Sequence, residues 1–158
     1  MQTLNIFAKQ AGLHISNRKT KIMALNSTNT RLIQIDNEER PYTDRFTYLG
    51  SIISRDGGND LDIQSHLGKA TNSLNMMNKV WHSPTYSTRT KLKLYHSCVL
   101  TTLLYGSECW RLMEKDLSKL STFHTKSLQH ILHIFWPHVI SNKDLFEQCG
   151  TEPRLPSG

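Results

Sequence analysis

Cysteine is scarce in this chain. Cys98, Cys109 and Cys149 are odd in number and form no Cys-x-x-Cys pair. That speaks against a disulfide scaffold and for a reducing, intracellular setting. No stretch nears the roughly 20 apolar residues that a membrane-spanning helix needs. The opening MQTLNIFAKQ lacks the apolar centre of a secretory signal. Glycine-rich phosphate loops, nucleophile constellations, internal repeats and low-complexity tracts are all missing. The expectation is a soluble, ordered chain without membrane attachment. Acidic residues are also short: 13 Asp and Glu face 19 Lys and Arg, for a net charge of +6. The excess is spread along the chain, and a balance of this kind suits a polyanionic partner.

A chain of 158 residues suits one domain or pieces of two small ones. At this size about 70% of the unfolded surface can be buried, enough for a core. The stretch Phe46–Ser54 (FTYLGSIIS) is crowded with apolar and aromatic residues and closed by Arg55-Asp56-Gly57-Gly58. It reads as a strand ending in a tight turn, with Phe46 and Tyr48 on one face. Ahead of it, Leu4, Phe7, Ala8 and Ala11 have helical spacing, and Gly12 is placed to end that helix. A helix opening at Met1 without a capping residue suggests that a further segment precedes it. Leu13 and Ile15, then Lys19–Leu25, then Leu32, Ile33 and Ile35 read as short strands, with a turn at Asn17-Arg18 and loops at 26–30 and 36–41.

From Leu61 the period becomes helical. Ile63, Leu67, Ala70, Leu74, Met77 and Trp81 form one stripe. Asp60 and Asp62 sit where carboxylates favour a helix start. Asp56, Asp60 and Asp62 read as turn and helix-start residues rather than metal ligands. Ser83-Pro84 interrupts, and a second helix capped by Ser87 or Thr88 is predicted to run to about Trp110. Its buried face would be Leu92, Tyr95, Val99, Thr102 and Tyr105 or Gly106. A third helix is predicted over about 115–135, with Leu117, Leu120, Phe123, Leu128, Ile131 and Phe135 inward and Pro137 as its stop. Asn142 is placed to cap a last turn before Gly150, and the tail 151–158 reads as frayed. His130 and His133 share helical spacing, with His124, His138 and Cys149 near in sequence. The set fits no zinc-ligand pattern, and no metal site is expected.

Several ordered motifs together resemble reverse transcriptases of non-LTR (LINE-like) retrotransposons. GLHISNRKTKIM (Gly12–Met23) is similar to the G-L-x-I-N-x-x-K-T-K motif that follows the catalytic hairpin of those enzymes, with Ser16 in place of the usual Asn. FTYLGSIISRDGG is similar to their primer grip. Lys91-Leu92-Lys93-Leu94-Tyr95 and Leu103-Leu104-Tyr105-Gly106-Ser107-Glu108-Cys109-Trp110 look like their thumb patterns K-x-x-L-Y and L-L-Y-G-x-E-x-W. The resemblance covers about residues 1–150. Gln129-His130 and Trp136-Pro137-His138 depart from it, and the family's downstream zinc knuckle is absent from these residues.

The resemblance implies an α+β fold: a small antiparallel sheet (palm edge and primer grip), then a mainly helical thumb bundle. It divides the chain into a partial palm at 1–56, thumb helices at 57–112, a post-thumb helical region at 113–150 and the tail. It implies primer-template contact through Phe46, Tyr48, Leu49 and Gly50, and phosphate contact through Lys69, Lys79, Arg89, Lys91 and Lys93. Lys19 matches a motif lysine assigned to protonating the pyrophosphate leaving group, beside its plainer reading as a solvated turn residue. Intact relatives use two Mg2+ held by palm aspartates, two of them in a Tyr-x-Asp-Asp hairpin. This sequence contains no Tyr-x-Asp-Asp, and a phosphoryl-transfer site needs such carboxylates. The implied partners are RNA, an RNA–DNA duplex and the palm and fingers half of a polymerase, with no cofactor held by these residues alone. An interaction protein without catalysis and a non-functional retroelement relic stay open. A small sheet without flanking strands is marginal in water, so the helical part is expected to be the more stable.

Overall fold

The computed structural model describes residues 2–16, 18–25, 34–35, 38–135 and 140–150. It is an α+β protein with two compact units, Met1–Gly58 and Asn59–Gly158.

The first unit opens with α1 (Gln2–Gln10). Gly12, at φ +74°, ends it as the spacing predicted. The Gly12 N–H donates to the Lys9 carbonyl and the Leu13 N–H to the Ala8 carbonyl, the paired bonds of a Schellman motif. Strands β1 (Gln34–Ile35) and β2 (Glu38–Glu39) pair antiparallel, so part of the 36–41 loop is strand. Leu32 and Ile33 and the loop at 26–30 lie outside the described residues. Leu13–Ile15 forms no strand. Of Lys19–Leu25, only Ile22 makes a bridge, parallel to Tyr42.

Phe46–Ser54 is a hairpin rather than one strand. Strands β3 (Arg45–Tyr48) and β4 (Ser51–Ser54) pair from Arg45↔Ser54 to Tyr48↔Ser51. Leu49 and Gly50 have φ of +48° and +95°. Positive φ at both central residues is what a two-residue type I′ hairpin turn demands. Glycine marked the spot, but the apolar residue before it hid the turn. The Arg55–Gly58 turn is as expected: the Gly57 N–H and the Ser54 hydroxyl close it onto the Ser54 and Gly58 carbonyls.

The second unit is helical: α2 (Asp60–Met76), α3 (Asn78–His82), α4 (Thr88–Leu94), a π-helical segment (Tyr95–Leu100), α5 (Thr101–Leu103), a 3-10 turn (Ser107–Cys109), α6 (Glu114–Leu132) and α7 (Asn142–Cys149). The predicted stripe on α2 and α3 packs inward: Ile63, Ala70, Leu74 and Trp81 are buried, and Leu67 and Met77 flank them. Ser87 caps α4, its hydroxyl accepting from the Thr90 N–H. The helix breaks after Leu103 and not at Trp110, because Gly106 turns left-handed. Within it the π-helical turns are wider than α-helical ones. The buried series therefore runs Leu92, Tyr95, Val99, Leu103, and Tyr105 is exposed. Helix α6 stops at Leu132 with His133 in the left-handed region. Phe135 lies beyond it and is exposed, and Leu117 and Phe123 are half-buried. Pro137 and residues 151–158 lie outside the described residues. The cap of α7 is Ser141, not Asn142.

Candidate nucleic-acid interface

The hairpin gathers Phe46, Tyr48, Leu49 and Gly50 at one tip. Phe46 and Tyr48 stack, with ring centroids 6.4 Å apart. Phe46 is half-buried, whereas Tyr48 and Leu49 are 58% and 74% exposed. The tip is thus an apolar surface, not sheet core. Lys19 lies in a turn of the same unit, its N–H donating to the Ser16 carbonyl at 3.1 Å, and the residue is exposed.

In the second unit the basic residues divide. Lys69 on α2 and Lys79 on α3 are exposed. Arg89 and Lys93, one turn apart on α4, line an open groove of about 750 Å3 floored by Leu92 and Cys149 and shared with His96 and Glu147. Lys91 faces the opposite way. It is buried, and its ammonium donates to the Trp81 carbonyl at 2.6 Å. It therefore ties α4 to α3 and cannot meet a phosphate from there. Its position was legible: Lys91 sits four residues before the buried Tyr95, on the core face. His96 and Ser97, which extend the Arg89–Lys93 face, escaped notice because neither is charged in sequence.

Three aspartates of this unit are turned onto its own groups. Asp60 accepts from Lys115 at 2.7 Å and Lys119 at 3.0 Å. These two hydrogen bonds hold its carboxyl down to about 2. Asp116 accepts from Lys119 and from the Met113 N–H at the start of α6. Buried Asp62 accepts from the Trp110 indole at 2.7 Å and faces the buried His66 at 3.7 Å. Among the described residues, Lys79, Arg89 and Lys93 have no ion-pair partner.

Both thumb-like motifs supply packing. Tyr95 is fully buried, its hydroxyl 2.8 Å from His124 Nδ1, and burial pushes its phenol up. His124 is stacked between Tyr95 and Phe146. Burial, with His96 as a lesser cause, lowers its imidazole to about 4. Leu103 is core, Gly106 makes the turn, and Trp110 holds Asp62. Among the described residues no three His, Cys, Asp or Glu side chains are grouped to hold a metal ion, and no helix is long and apolar enough to cross a membrane.

No protein-family model, curated protein or solved structure matches this chain.

Proposed function

We propose that this chain corresponds to the palm edge and thumb of a LINE-like RNA-directed DNA polymerase, and that it retains sequence-independent binding of an RNA–DNA primer-template. The motif order along residues 12–110 underlies the family assignment. One observation carries the binding: Asp60, Asp62 and Asp116 are engaged by the unit's own lysines and indole, while Lys79, Arg89 and Lys93 stand exposed without an ion-pair partner among the described residues, with Glu147 as the carboxylate that shares the Arg89–Lys93 groove. Uncompensated cations of this kind bind phosphates by releasing counterions, without reading base sequence. The hairpin tip would add backbone and aromatic contact to the primer end. Without a Tyr-x-Asp-Asp pair, polymerisation by these residues alone is not proposed.

The test is binding of the full chain to a labelled RNA–DNA primer-template across a salt series. Saturable binding that weakens steeply with salt is expected. Replacing Arg89 and Lys93 by Gln should lower the log–log salt slope by roughly 2, about 0.9 per lost phosphate contact. Lys91→Gln should leave that slope unchanged. No binding at low salt by a folded chain would refute the reading.

A second reading, a non-catalytic interaction protein or relic, draws on the first unit, where Leu4, Ile6, Phe7, Leu13, Tyr48, Leu49 and Ile53 are exposed. It predicts self-association in sedimentation experiments and no salt-dependent binding of nucleic acid.

A further inference from the structure

Helix α3 and the end of α6 bring three histidines together. The His82 ring lies 4.8 Å from that of His133 and 5.7 Å from that of His130, centroid to centroid. Each ring sets one nitrogen against a carbonyl oxygen. His82 Nδ1 is 2.9 Å from the Asn78 carbonyl, His130 Nε2 is 3.0 Å from Asn78 Oδ1, and His133 Nε2 is 2.9 Å from the Trp81 carbonyl. A carbonyl only accepts, so these nitrogens carry the protons. His82 Nε2 and the Nδ1 atoms of His130 and His133 are left as bases.

Their surroundings are basic and supply no counter-charge among the described residues. Lys91 reaches from α4 to the same Trp81 carbonyl that His133 uses. Lys79 is one turn before His82 on α3, and Lys126 one turn before His130 on α6. No carboxylate among the described residues pairs with any of the three rings. The C-terminal carbonyls of α6 favour a cation there, but each charged ring would face the others. Burial first, then His82 and His133, hold the His130 imidazole below its ordinary value. The rings are not grouped as metal ligands. Phe135, 55% exposed, lies 6.5 Å from His130 and 6.4 Å from His133.

We propose that His82, His130 and His133, with Phe135, form a proton-linked contact site for single-stranded nucleic acid. The phosphates supply the missing counter-charge and draw protons onto the imidazoles, and Phe135 offers a ring face for a base. This rests on the nucleic-acid reading above but adds a place and a coupling to protons.

The experiment is calorimetric titration of the full chain with a mixed-sequence single-stranded RNA oligonucleotide. It is run between about pH 8 and about pH 5.5, in buffers of differing ionisation enthalpy. Expected is an affinity gain of at least about 10-fold toward acid, with uptake of about one to two protons per complex. Acid effects on buried His66 and His124 act the other way, since unfolding would weaken binding. The triple variant H82Q/H130Q/H133Q should lose both the pH dependence and the proton uptake. The single variant H82Q, at an exposed position, should lose part of it. Phe135→Ala should weaken RNA binding by about 10-fold while leaving binding of inorganic polyphosphate unchanged. Binding without proton uptake, or a pH dependence surviving in the triple variant, would overturn the proposal and spare the broader reading. Equal loss of polyphosphate binding in Phe135→Ala would overturn the stacking role. Absence of RNA binding at every pH would overturn both.

Discussion

The two units of this protein use similar apolar residues to opposite ends. Among the described residues of Met1–Gly58, Ile22 alone is a buried hydrophobic; in Asn59–Gly158 one cluster runs from Ile63 to Cys149. The first unit has a dense apolar run of its own at Phe46–Ser54, yet a hairpin four residues to a strand offers one face and cannot itself supply the second layer that would cover it. The second repeats its apolar residues at a helical period, and several helices share what each cannot bury alone. Apolar content alone does not make a core; period and a facing partner do.

The sharpest way to break this contrast is truncation on either side of it. Trp81→Ala or Tyr95→Ala should cost about 3–5 kcal/mol in denaturant unfolding followed by helical circular dichroism. Each also strands a polar partner, the Leu74 carbonyl or His124. Leu49→Ala or Phe7→Ala should stay within about 0.5 kcal/mol, because the side chains are exposed.

Acid should separate the units as well. His124 has a folded value near 4 against about 6.5 unfolded, so the unfolded chain binds the proton more readily. Its contribution is complete above about pH 6.5 and falls, by up to about 3 kcal/mol, as pH drops toward 4. Asp60, held near 2, loses its pairing only at lower pH. A melting series should therefore show the helical unit weakening first between about pH 6.5 and 4. A flat profile there would mean that His124 is solvated.

Smaller effects sharpen the comparison at element ends. Ser87→Ala removes the cap of α4 and should cost about 1 kcal/mol. Leu49→Asn suits the left-handed turn position better and should stabilise the hairpin by up to about 1 kcal/mol, read as slower amide exchange in β3 and β4.

What could be read in advance follows the same division. The stripe from Ile63 to Trp81 was legible because α2 and α3 keep one period and Asp60 marks the start. The turn at Leu49-Gly50 was not, since leucine in the left-handed region is rare and only the pairing partner reveals it. The resemblance implies a phosphate contact for Lys91, whereas Tyr95 one turn on places it on the core side. The histidine cluster could be half seen: His130 and His133 share a helix, but His82 reaches them only through the packing of α3 on α6. Contacts within one element can be counted along a chain; contacts between elements need the fold.

The π-helical segment at Tyr95–Leu100 amounts to one surplus residue stored within a helix. Deleting a residue from an ordinary helix swings everything beyond it by about 100°. Here the loss of one solvent-facing residue, exposed Ser97 for example, would relax the wide turns to α-helical pitch and leave Leu103 still inward. This stretch of the chain can change length by one without changing shape, so a gap here between related sequences would mark slack and not damage.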